Sequence, residues 1–336
     1  MVSVVIPARN ERRRIRECLR AVQHQDYPPE RFEILVADGM SDDGTREIVA
    51  QAASEDARVS LVDNPGRIVP TGMNRAIAAA AGEMIVRVDG HTIISGDYVT
   101  RCVETLLRTG AEGVGGTMTP IAEGVFSGAV ALATSTPFGV GNSAFHYATA
   151  ERDSDSVYLG AYPKSVFARF GGYDEAMVRN QDDELNYRIR SLGGRIVLNP
   201  AIHSSYHPRA SLSGLFSQYF QYGWWKVRVM TRVPTMISPR HFAPSLFVIG
   251  LAGGLALAAV RASFWPVPAA MLAAHAAAAL SFCAGRARGH RFGSVALVPL
   301  ATLTIHLAYG MGLLAALPTL LGKPRQSQAG EAPSSR

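Results

Sequence analysis

The chain has 336 residues, a formal net charge of +6 and 18% charged residues. This length exceeds what one ordinary hydrophobic core organises, so we expect two units, or one domain with an appendage. Charged residues are frequent in residues 1–232 and rare in residues 244–322, and this shift marks the main boundary in the sequence. The positive charge suits anionic lipid headgroups and phosphates equally.

Three long uncharged segments occupy residues 244–260, 262–285 and 292–322. Each is near or above the ~17 to 20 residues that a helix needs to cross the hydrocarbon layer. We predict a membrane region at 244–322 with about three transmembrane helices. Buried Ala-rich helices of a soluble domain are the alternative, although such helices usually keep a polar stripe. The third segment, with Pro299 and Pro318, also fits a re-entrant loop.

Basic residues predict how these helices are oriented. Arg286, Arg288 and Arg291 lie between the second and third segments, and short basic loops stay on the cytoplasmic side. We therefore expect a multi-pass protein of the inner (cytoplasmic) membrane whose first 232 residues are cytoplasmic. The polar tail at 323–336 is predicted to be disordered.

Apolar runs alternate with helical patterns in the first part of the chain. Strands are predicted at residues 2–8, 32–39, 58–64 and 83–88, with helices between them. This alternation is typical of an α/β fold with a doubly wound, mostly parallel sheet. In such sheets ligands bind beyond the carboxyl ends of the strands.

Two later stretches carry weaker signals. Residues 112–172 are rich in glycine and predict only loops, short strands and an adaptable binding wall. Residues 213–232 combine aromatic residues with Lys226 and Arg228 near the end, which predicts an interfacial helix. An ordinary helix packed on the domain is the alternative.

Polar residues follow two of the predicted strands. Asp38 ends the second strand, and Asp89 and His91 follow the fourth. Asp89 and His91 can share a divalent cation with phosphate oxygens, while Asp38 can accept hydrogen bonds from a nucleobase or ribose. An Asp-x-His pattern alone is weak, because an acid after a strand is more often a turn residue. Taken together they predict a nucleotide diphosphate site, to which Arg67 and Arg87 can add positive charge.

Three adjacent acids open a predicted helix in the segment VRNQDDELNYRIR. Asp183 and Glu184 have an ordinary explanation, because acids stabilise helix N-termini and Glu184 can pair with Arg188. Asp182 differs, since it shares a helix row with two apolar residues and is directed inward. An inward carboxylate near a substrate can take a proton from a hydroxyl group. Asp182 is therefore the candidate general base, with a structural role as the alternative.

The order of four motifs is similar to that of a known family. VSVVIPARNE, VADGMSDDGT, RVDGH, and LGAYPKSVFARFGGYDE with RNQDDELNYRIR resemble the family 2 glycosyltransferases of GT-A fold. The resemblance is strongest to the membrane-associated succinoglycan-biosynthesis type and covers residues 2–232 in colinear order. It implies a GT-A catalytic domain at residues 1–232, including the helix at 213–232, followed by the transmembrane helices.

The resemblance also implies roles for individual residues. Asp182 is the implied catalytic base, and Asp89 with His91 is expected to bind a divalent cation, Mg²⁺ or Mn²⁺, together with the diphosphate. The predicted substrate-binding residues are Ala8, Asn10, Asp38, Asp43, Arg67, Gly160, Trp224 and Trp225.

Several positions depart from the family pattern. Gly39 replaces the second acid of the usual D-D-G-S, and His91 replaces the last Asp of D-x-D, which makes the metal shell less anionic. Gln181 stands in place of the Glu of the usual E-D pair and leaves Asp182 as its only acid. The QYGWW segment at 221–225 is similar to the Q-x-x-R-W of processive synthases, with Trp for Arg, which favours single additions.

The expected function is an inverting transfer of a sugar from a nucleotide sugar, a UDP-sugar by resemblance, to a lipid-linked saccharide in extracellular or cell-surface polysaccharide synthesis. Expected partners are the donor, a polyprenyl-linked saccharide acceptor, membrane lipids and other polysaccharide-assembly proteins, with no nucleic acid. Two alternatives stay open. One is a sugar transferase acting on polyprenyl phosphate itself, and the other is an inactive membrane scaffold of the same fold.

Overall fold

The computed structural model describes residues 1–320. The described residues form two compact units: Met1–Thr119 with Ala148–Tyr206, and Pro120–Tyr147 with residues 207–320. Residues 120–147 and 207–232 thus belong to the same unit as the apolar helices, while the predicted catalytic domain at 1–232 stays a prediction. The predicted disordered tail, and the last two residues of the third predicted membrane segment, lie outside the described residues.

A nine-stranded mixed sheet organises the first unit. Its strands are β1 (Val2–Ala8), β2 (Phe32–Asp38), β3 (Val59–Asp63), β4 (Met84–Arg87), β5 (Ile93–Ile94), β6 (Gly113–Pro120), β7 (Arg152–Asp153), β8 (Tyr158–Pro163) and β9 (Ile196–Tyr206). The helices of this unit are α1 (Ile15–Gln23), α2 (Thr45–Glu55), α3 (Val69–Ala79), α4 (Tyr98–Thr109), α7 (Lys164–Phe170) and α8 (Gln181–Ser191).

The strand order is β3-β2-β1-β4-β8-β6-β9-β5, with β7 also paired to β9. β1 pairs in parallel with β2 and β4, and β2 with β3, whereas β8 runs antiparallel to β4 and β6. Every residue of β1 is buried, as its continuous apolar run predicts for a strand covered on both faces. In the parallel register Ala8 lies opposite Asp38, so the carboxyl ends of β1 and β2 coincide.

The second unit consists of helices α5 (Val125–Thr134), α6 (Pro137–Val140), α9 (Leu212–Arg232), α10 (Ala243–Val260), α11 (Pro266–Cys283) and α12 (Phe292–Ala316). Three helical segments, Pro239–Val260, Ala262–Arg286 and Phe292–Leu320, are long and apolar enough to cross a membrane, with mean hydropathies of 2.0, 1.6 and 1.6. They match the three predicted segments. α12 is one continuous helix through Pro299, about 37 Å long at ~1.5 Å per residue.

The surfaces of α10 and α11 distinguish membrane helices from helices of a soluble core. Most of the apolar surface of both is exposed; Leu246 is 66% exposed and Val260 88%. Exposed apolar surface of this extent suits contact with lipid and would be unfavourable in water. α12 is more buried, because α5, α9, α10 and α11 all pack against it.

One prediction for the glycine-rich stretch is wrong. Residues 125–134 form helix α5, in which every residue from Ser127 to Thr134 is buried, where only loops and short strands were expected. Small side chains let α5 lie close to α12; a Cβ on Gly128 would lie 2.5 Å from Ser294 Oγ. Because this helix is apolar on all sides, it shows no helical periodicity in the sequence.

Glycines also bring α9 and α12 into close contact. A Cβ on Gly223 of α9 would meet the carbonyl oxygen of Tyr309, and one on Gly312 of α12 would meet that of Phe220. This packing supports the alternative of a packed helix for α9, and its interfacial position remains a prediction.

We expect Gly223→Ala to lower the thermal unfolding midpoint of the detergent-purified protein. The added methyl group has no room against Tyr309, and overpacking of this kind costs about 1–3 kcal/mol. Gly253→Ala is the matched control, because a Cβ on Gly253 of α10 would meet no atom of residues 1–320 within 4 Å. There the higher helix propensity of Ala should leave stability equal or slightly higher. Equal effects of the two substitutions would contradict this packing.

Candidate active site

Helix α8 begins at Gln181, as the sequence predicts. The residue before it, Asn180, has a left-handed backbone with φ 57°, which turns the chain into the helix. Leu185 and Ile189 are fully buried and anchor one face of α8 in the first unit. Asp182, in the first turn, is half-buried.

The predicted pair between Glu184 and Arg188 is confirmed. Arg188 Nε donates to Glu184 Oε1 at 2.8 Å, and Nη2 donates to Oε2 at 2.8 Å. Arg188 also donates to the carbonyl oxygens of Phe170, Gly171 and Gly172. Glu184 therefore fixes an arginine that ties the loop after α7 to helix α8. The sequence did not predict these carbonyl contacts.

Asn74 of α3 holds the same loop from another side. Its Oδ1 accepts from Tyr173 N at 2.8 Å, and its Nδ2 donates to Tyr173 O at 2.9 Å. The backbone of Tyr173 is thus fixed by one side-chain amide. Since Tyr173 faces the end of β4, both clamps position the residues around Arg87.

A buried ion pair lies at the carboxyl end of β4. Arg87 Nε donates to Asp89 Oδ1 at 2.8 Å, and the guanidinium carbon lies 6.0 Å from the centre of the Tyr173 ring. Arg87 is 5% exposed. Burial raises the pKa of Asp89, but the charges of Arg87, His91 and Arg179 outweigh it and leave that pKa lowered. Asp89 is therefore a carboxylate at neutral pH.

Asp182 belongs to the same electrostatic cluster. Burial raises its pKa, the neighbouring Asp183 and the nearby Asp89 raise it further, and Arg87 opposes them. Asp89 and Asp182, two predicted site residues 93 positions apart in the chain, thus lie close enough for their charges to act on each other and on Arg87. The pKa of one acid is lowered and that of the other is raised, so the two carboxyl groups have opposite electrostatic environments.

A second cluster joins the ends of β1 and β2. Asp38 is fully buried; it accepts from Ser41 N at 2.9 Å, from Ser41 Oγ at 2.5 Å and from Arg46 Nη1 at 2.9 Å. Asn10 N donates to Ser41 Oγ at 2.9 Å, and Asn10 Oδ1 accepts from Asp42 N at 3.1 Å. Asn10 and Asp38 thus come together through Ser41. Contact of either with a nucleotide stays a prediction.

Asp43 lies in the adjoining loop and satisfies backbone donors. Its carboxylate accepts from Arg12 N at 3.1 Å, Thr45 N at 3.0 Å and Thr45 Oγ1 at 2.6 Å. Slight burial raises its pKa, and the hydrogen bonds from Thr45 and Arg12 lower it by more. An open groove of about 820 Å³ includes Asp43 in its wall, but neither Asp89 nor Asp182.

Ala8 connects the two clusters. Its carbonyl oxygen accepts from Gly39 N at 2.8 Å, and a Cβ on Gly90 would lie 3.3 Å from the Ala8 Cβ. The loop that carries Asp89 therefore lies directly beside the end of β1. Arg67 is exposed with a left-handed φ of 62°, and its carbonyl oxygen accepts from Arg9 at 3.4 Å.

Three further predicted residues lie in regular elements. Gly160 is buried in β8, where a side chain would meet the Tyr162 hydroxyl that donates to Asn186 of α8 at 2.8 Å. Trp224 and Trp225 lie on α9 in the second unit; Trp225 is 4% exposed and Trp224 is half-buried. Substrate contact by these three residues stays a prediction.

The residues at the end of β4 offer few donors for a cation, which fits a cation held mainly by substrate phosphates and waters. Asp89 supplies a carboxylate, and His91 is close enough for its charge to act on Asp89. His91 is half-exposed and its Nδ1 lies 2.9 Å from Glu11 Oε1. Residues 1–320 contain no group of three or more His, Cys, Asp or Glu side chains arranged for a metal. Mg²⁺ sites commonly use one or two carboxylates with waters and substrate phosphates, and this donor set is of that kind.

Comparison with known proteins decides the family. Residues 3–156 match the sequence model described as Glycosyl transferase family 2. Over 311 residues the chain is 34% identical to the succinoglycan biosynthesis protein ExoA of Rhizobium meliloti (strain 1021), and the match covers 92% of each chain. The chain belongs to the family 2 glycosyltransferases. The resemblance seen in the motifs is thereby confirmed.

Two other proteins are similar to this glycosyltransferase. The dolichyl N-acetyl-alpha-D-glucosaminyl phosphate 3-beta-D-2,3-diacetamido-2,3-dideoxy-beta-D-glucuronosyltransferase of Methanococcus voltae is 30% identical over 230 residues, 66% of this chain and 71% of the relative. The mannosyltransferase PcManGT from Pyrobaculum calidifontis, solved with GDP-Man and Mn²⁺, aligns with a TM-score of 0.57 at 21% identity, covering 92% of this chain and 86% of that one. The second likeness shows a shared fold.

We expect Asp182→Asn to stabilise the fold at neutral pH. A carboxyl group with a raised pKa contributes its stability below the unfolded value of about 4, and loses it as the pH rises through the folded value. Removing the charge should therefore raise the unfolding midpoint above that of the wild type, with a difference that shrinks toward about pH 4. Thermal unfolding of the detergent-purified protein in EDTA measures it.

Asp56→Asn is the control with the opposite sign. Hydrogen bonds from Arg58 lower the pKa of Asp56 to about 2, although partial burial opposes them. The ionised Asp56 therefore contributes to the free energy of unfolding above about pH 4, and this contribution is lost as the pH falls toward about 2. The Asp56→Asn variant should accordingly be less stable than the wild type at neutral pH. A loss of stability for both variants at neutral pH would contradict the environment assigned to Asp182.

Proposed function

We propose that this glycosyltransferase transfers a sugar, with inversion, from a UDP-sugar to a lipid-linked saccharide during synthesis of an extracellular or cell-surface polysaccharide. The observation that carries the proposal is the cluster of Asp182, Arg87 and Asp89 at the carboxyl end of β4. This is the sheet edge at which α/β proteins bind ligands.

The chemistry assigned to Asp182 is that of a general base. Its carboxylate accepts the proton of the acceptor hydroxyl, and the hydroxyl oxygen forms a bond to the anomeric carbon of the donor. The bond from that carbon to the diphosphate breaks, and its electron pair leaves with the diphosphate oxygen. Attack from the face opposite the diphosphate inverts the anomeric configuration. The raised pKa of Asp182 makes it a stronger base than an exposed carboxylate.

Asp89 and His91 are the residues proposed to hold Mg²⁺ or Mn²⁺, which would neutralise charge on the diphosphate. Asp89 is kept ionised for this role by Arg87. Ala8, Asn10 and Asp38, joined at the ends of β1 and β2, are proposed to line the nucleotide site. Additional substrate contacts are assigned to Asp43, Arg67, Gly160, Trp224 and Trp225.

The relatives support a lipid-linked acceptor. One acts in succinoglycan biosynthesis, and another is named as a transferase to a dolichyl-linked sugar phosphate. The three apolar helices would anchor the enzyme in the inner membrane as a multi-pass protein. Arg286, Arg288 and Arg291, in the loop between the second and third helices, favour a cytoplasmic catalytic domain.

The placement of Asp182 favours a hydroxyl acceptor over polyprenyl phosphate. A phosphate acceptor is already ionised and needs no base, whereas a sugar hydroxyl gains from one. An inactive scaffold would have no use for a half-buried acid kept beside Arg87 and Asp89 at an energetic cost. Asp89 is paired with Arg87, and the charge of Asp182 also acts on Arg87, which supports an active enzyme.

Asp182→Asn should lower the rate of sugar transfer by at least about 10²-fold to 10⁴-fold, which abolishes useful activity. Nucleotide binding should be unchanged. Asp183→Asn is the matched control and should keep most of the activity. The measurement is transfer from a panel of nucleotide sugars to lipid-linked saccharides by the detergent-purified protein. Full turnover by the Asp182 variant on a saccharide acceptor would refute the base assignment, and turnover on polyprenyl phosphate alone would favour the other acceptor.

Removal of divalent cations should strongly reduce transfer, because the diphosphate would then leave without charge neutralisation. Activity in EDTA is compared with activity after adding back Mn²⁺ or Mg²⁺. Asp89→Asn should need a higher cation concentration for half-maximal activity. A rate unaffected by EDTA, with the same rate in the Asp89 variant, would show that no cation acts there.

A further inference from the structure

Arg87 has a hydrogen-bond donor that no residue of the described chain satisfies. Its Nε is used by Asp89 at 2.8 Å, whereas its Nη1 is buried and has no partner among residues 1–320. Arg87 is 5% exposed, so bulk water does not replace that partner freely. A buried donor without a partner is energetically unfavourable, and more so when it is charged. Such a group therefore indicates a ligand or another function.

The surroundings of this nitrogen indicate which atom it binds. Asp89 lies on one side of the guanidinium, the Tyr173 ring lies 6.0 Å away, and the charge of Asp182 also acts on it. Arg179 adds a second positive charge near Asp89. The positive charges of Arg87 and Arg179 thus act on the site, and the buried Nη1 donor of Arg87 can bind an anionic oxygen. Hydrogen bonds from a guanidinium to such an oxygen are among the strongest in proteins.

Other buried or clamped arginines in the first unit have their donors engaged in structure. Arg46 binds Asp38 at 2.9 Å and Asp63 at 2.7 Å. Arg188 binds Glu184 and three carbonyl oxygens. Arg87 differs because its Nε is bound by the Asp89 carboxylate, while its buried Nη1 has no partner among residues 1–320.

We propose that Arg87 Nη1 donates a hydrogen bond to an oxygen of the terminal phosphate of the bound nucleoside diphosphate, while Nε keeps Asp89 in place. Arg87 is then a substrate-contacting residue that recognises the diphosphate independently of the divalent cation. This inference rests on the proposed function, since it names the part of the donor that the site grips. Recognition of the diphosphate by Arg87 is thus distinct from recognition of the nucleoside, which is proposed to bind at the ends of β1 and β2.

The test compares UDP with UMP, which lacks the terminal phosphate. Calorimetric titrations use the full-length detergent-purified protein, once in EDTA and once with Mn²⁺, and GDP with GMP serves as a second pair. Arg87→Lys keeps the positive charge and removes the Nη1 donor. Arg87→Gln removes both the positive charge and the Nη1 donor. We expect each to weaken UDP binding about 10-fold to 100-fold in EDTA and to leave UMP binding within about 2-fold. UMP affinity and the unfolding midpoint report on folding.

Arg101→Lys is the matched control, because Arg101 is an exposed arginine of α4 paired with Asp97 at 3.1 Å. It should bind UDP like the wild type. A wild-type preference for UDP over UMP that persists in both Arg87 variants would overturn the inference and leave the proposed function standing. Equal losses for UDP and UMP would also overturn it, by showing a structural role alone. A wild-type protein that binds neither UDP nor GDP would overturn both.

Discussion

The ion pair between Arg87 and Asp89 is the interaction around which the rest of the first unit is arranged. Arg87 is the last residue of β4 and Asp89 follows that strand, which lies between β1 and β8 inside the sheet. Arg87 is 5% exposed, so its guanidinium has lost most of its hydration, and its carboxylate partner offsets that loss. Removing one partner of such a pair typically costs about 3–5 kcal/mol. The sheet therefore buries the positive charge of Arg87, and the neighbouring carboxylate of Asp89 compensates that charge.

Asp182, the second acid whose charge acts on Arg87, is positioned by segments that are distant from one another in the sequence. Glu184 and Arg188 tie helix α8 to the loop before it, and Asn74 fixes the backbone of Tyr173 in that loop. These contacts hold the first turn of α8, with Asp182, near the end of β4. A carboxyl group positioned by a helix and two independent clamps has little freedom, which suits the proton transfer proposed for Asp182.

Much of this arrangement could be predicted because it depends on local patterns. The buried run of β1, the start of α8 and the pairing of Glu184 with Arg188 all follow from periodicity and helix geometry. Helix α5 could not be predicted, since small residues that pack on all sides leave no period. The burial of Asp38 depends on its ion pair with Arg46, which lies across a loop and is positioned by tertiary contacts. The donor of Arg87 that lacks a partner becomes visible only when every neighbour has been placed.

The central claim is that Asp182 and the pair of Arg87 and Asp89 surround one bound donor. A structure of the protein with a non-hydrolysable nucleotide-sugar analogue and Mn²⁺ tests it most directly. The account predicts the diphosphate beside Asp89 and Arg87, and the Asp182 carboxylate on the opposite face of the anomeric carbon, with space for one hydroxyl at about 3 Å from the carboxylate. An analogue bound away from β4, or an Asp182 carboxylate directed away from the sugar, would contradict it.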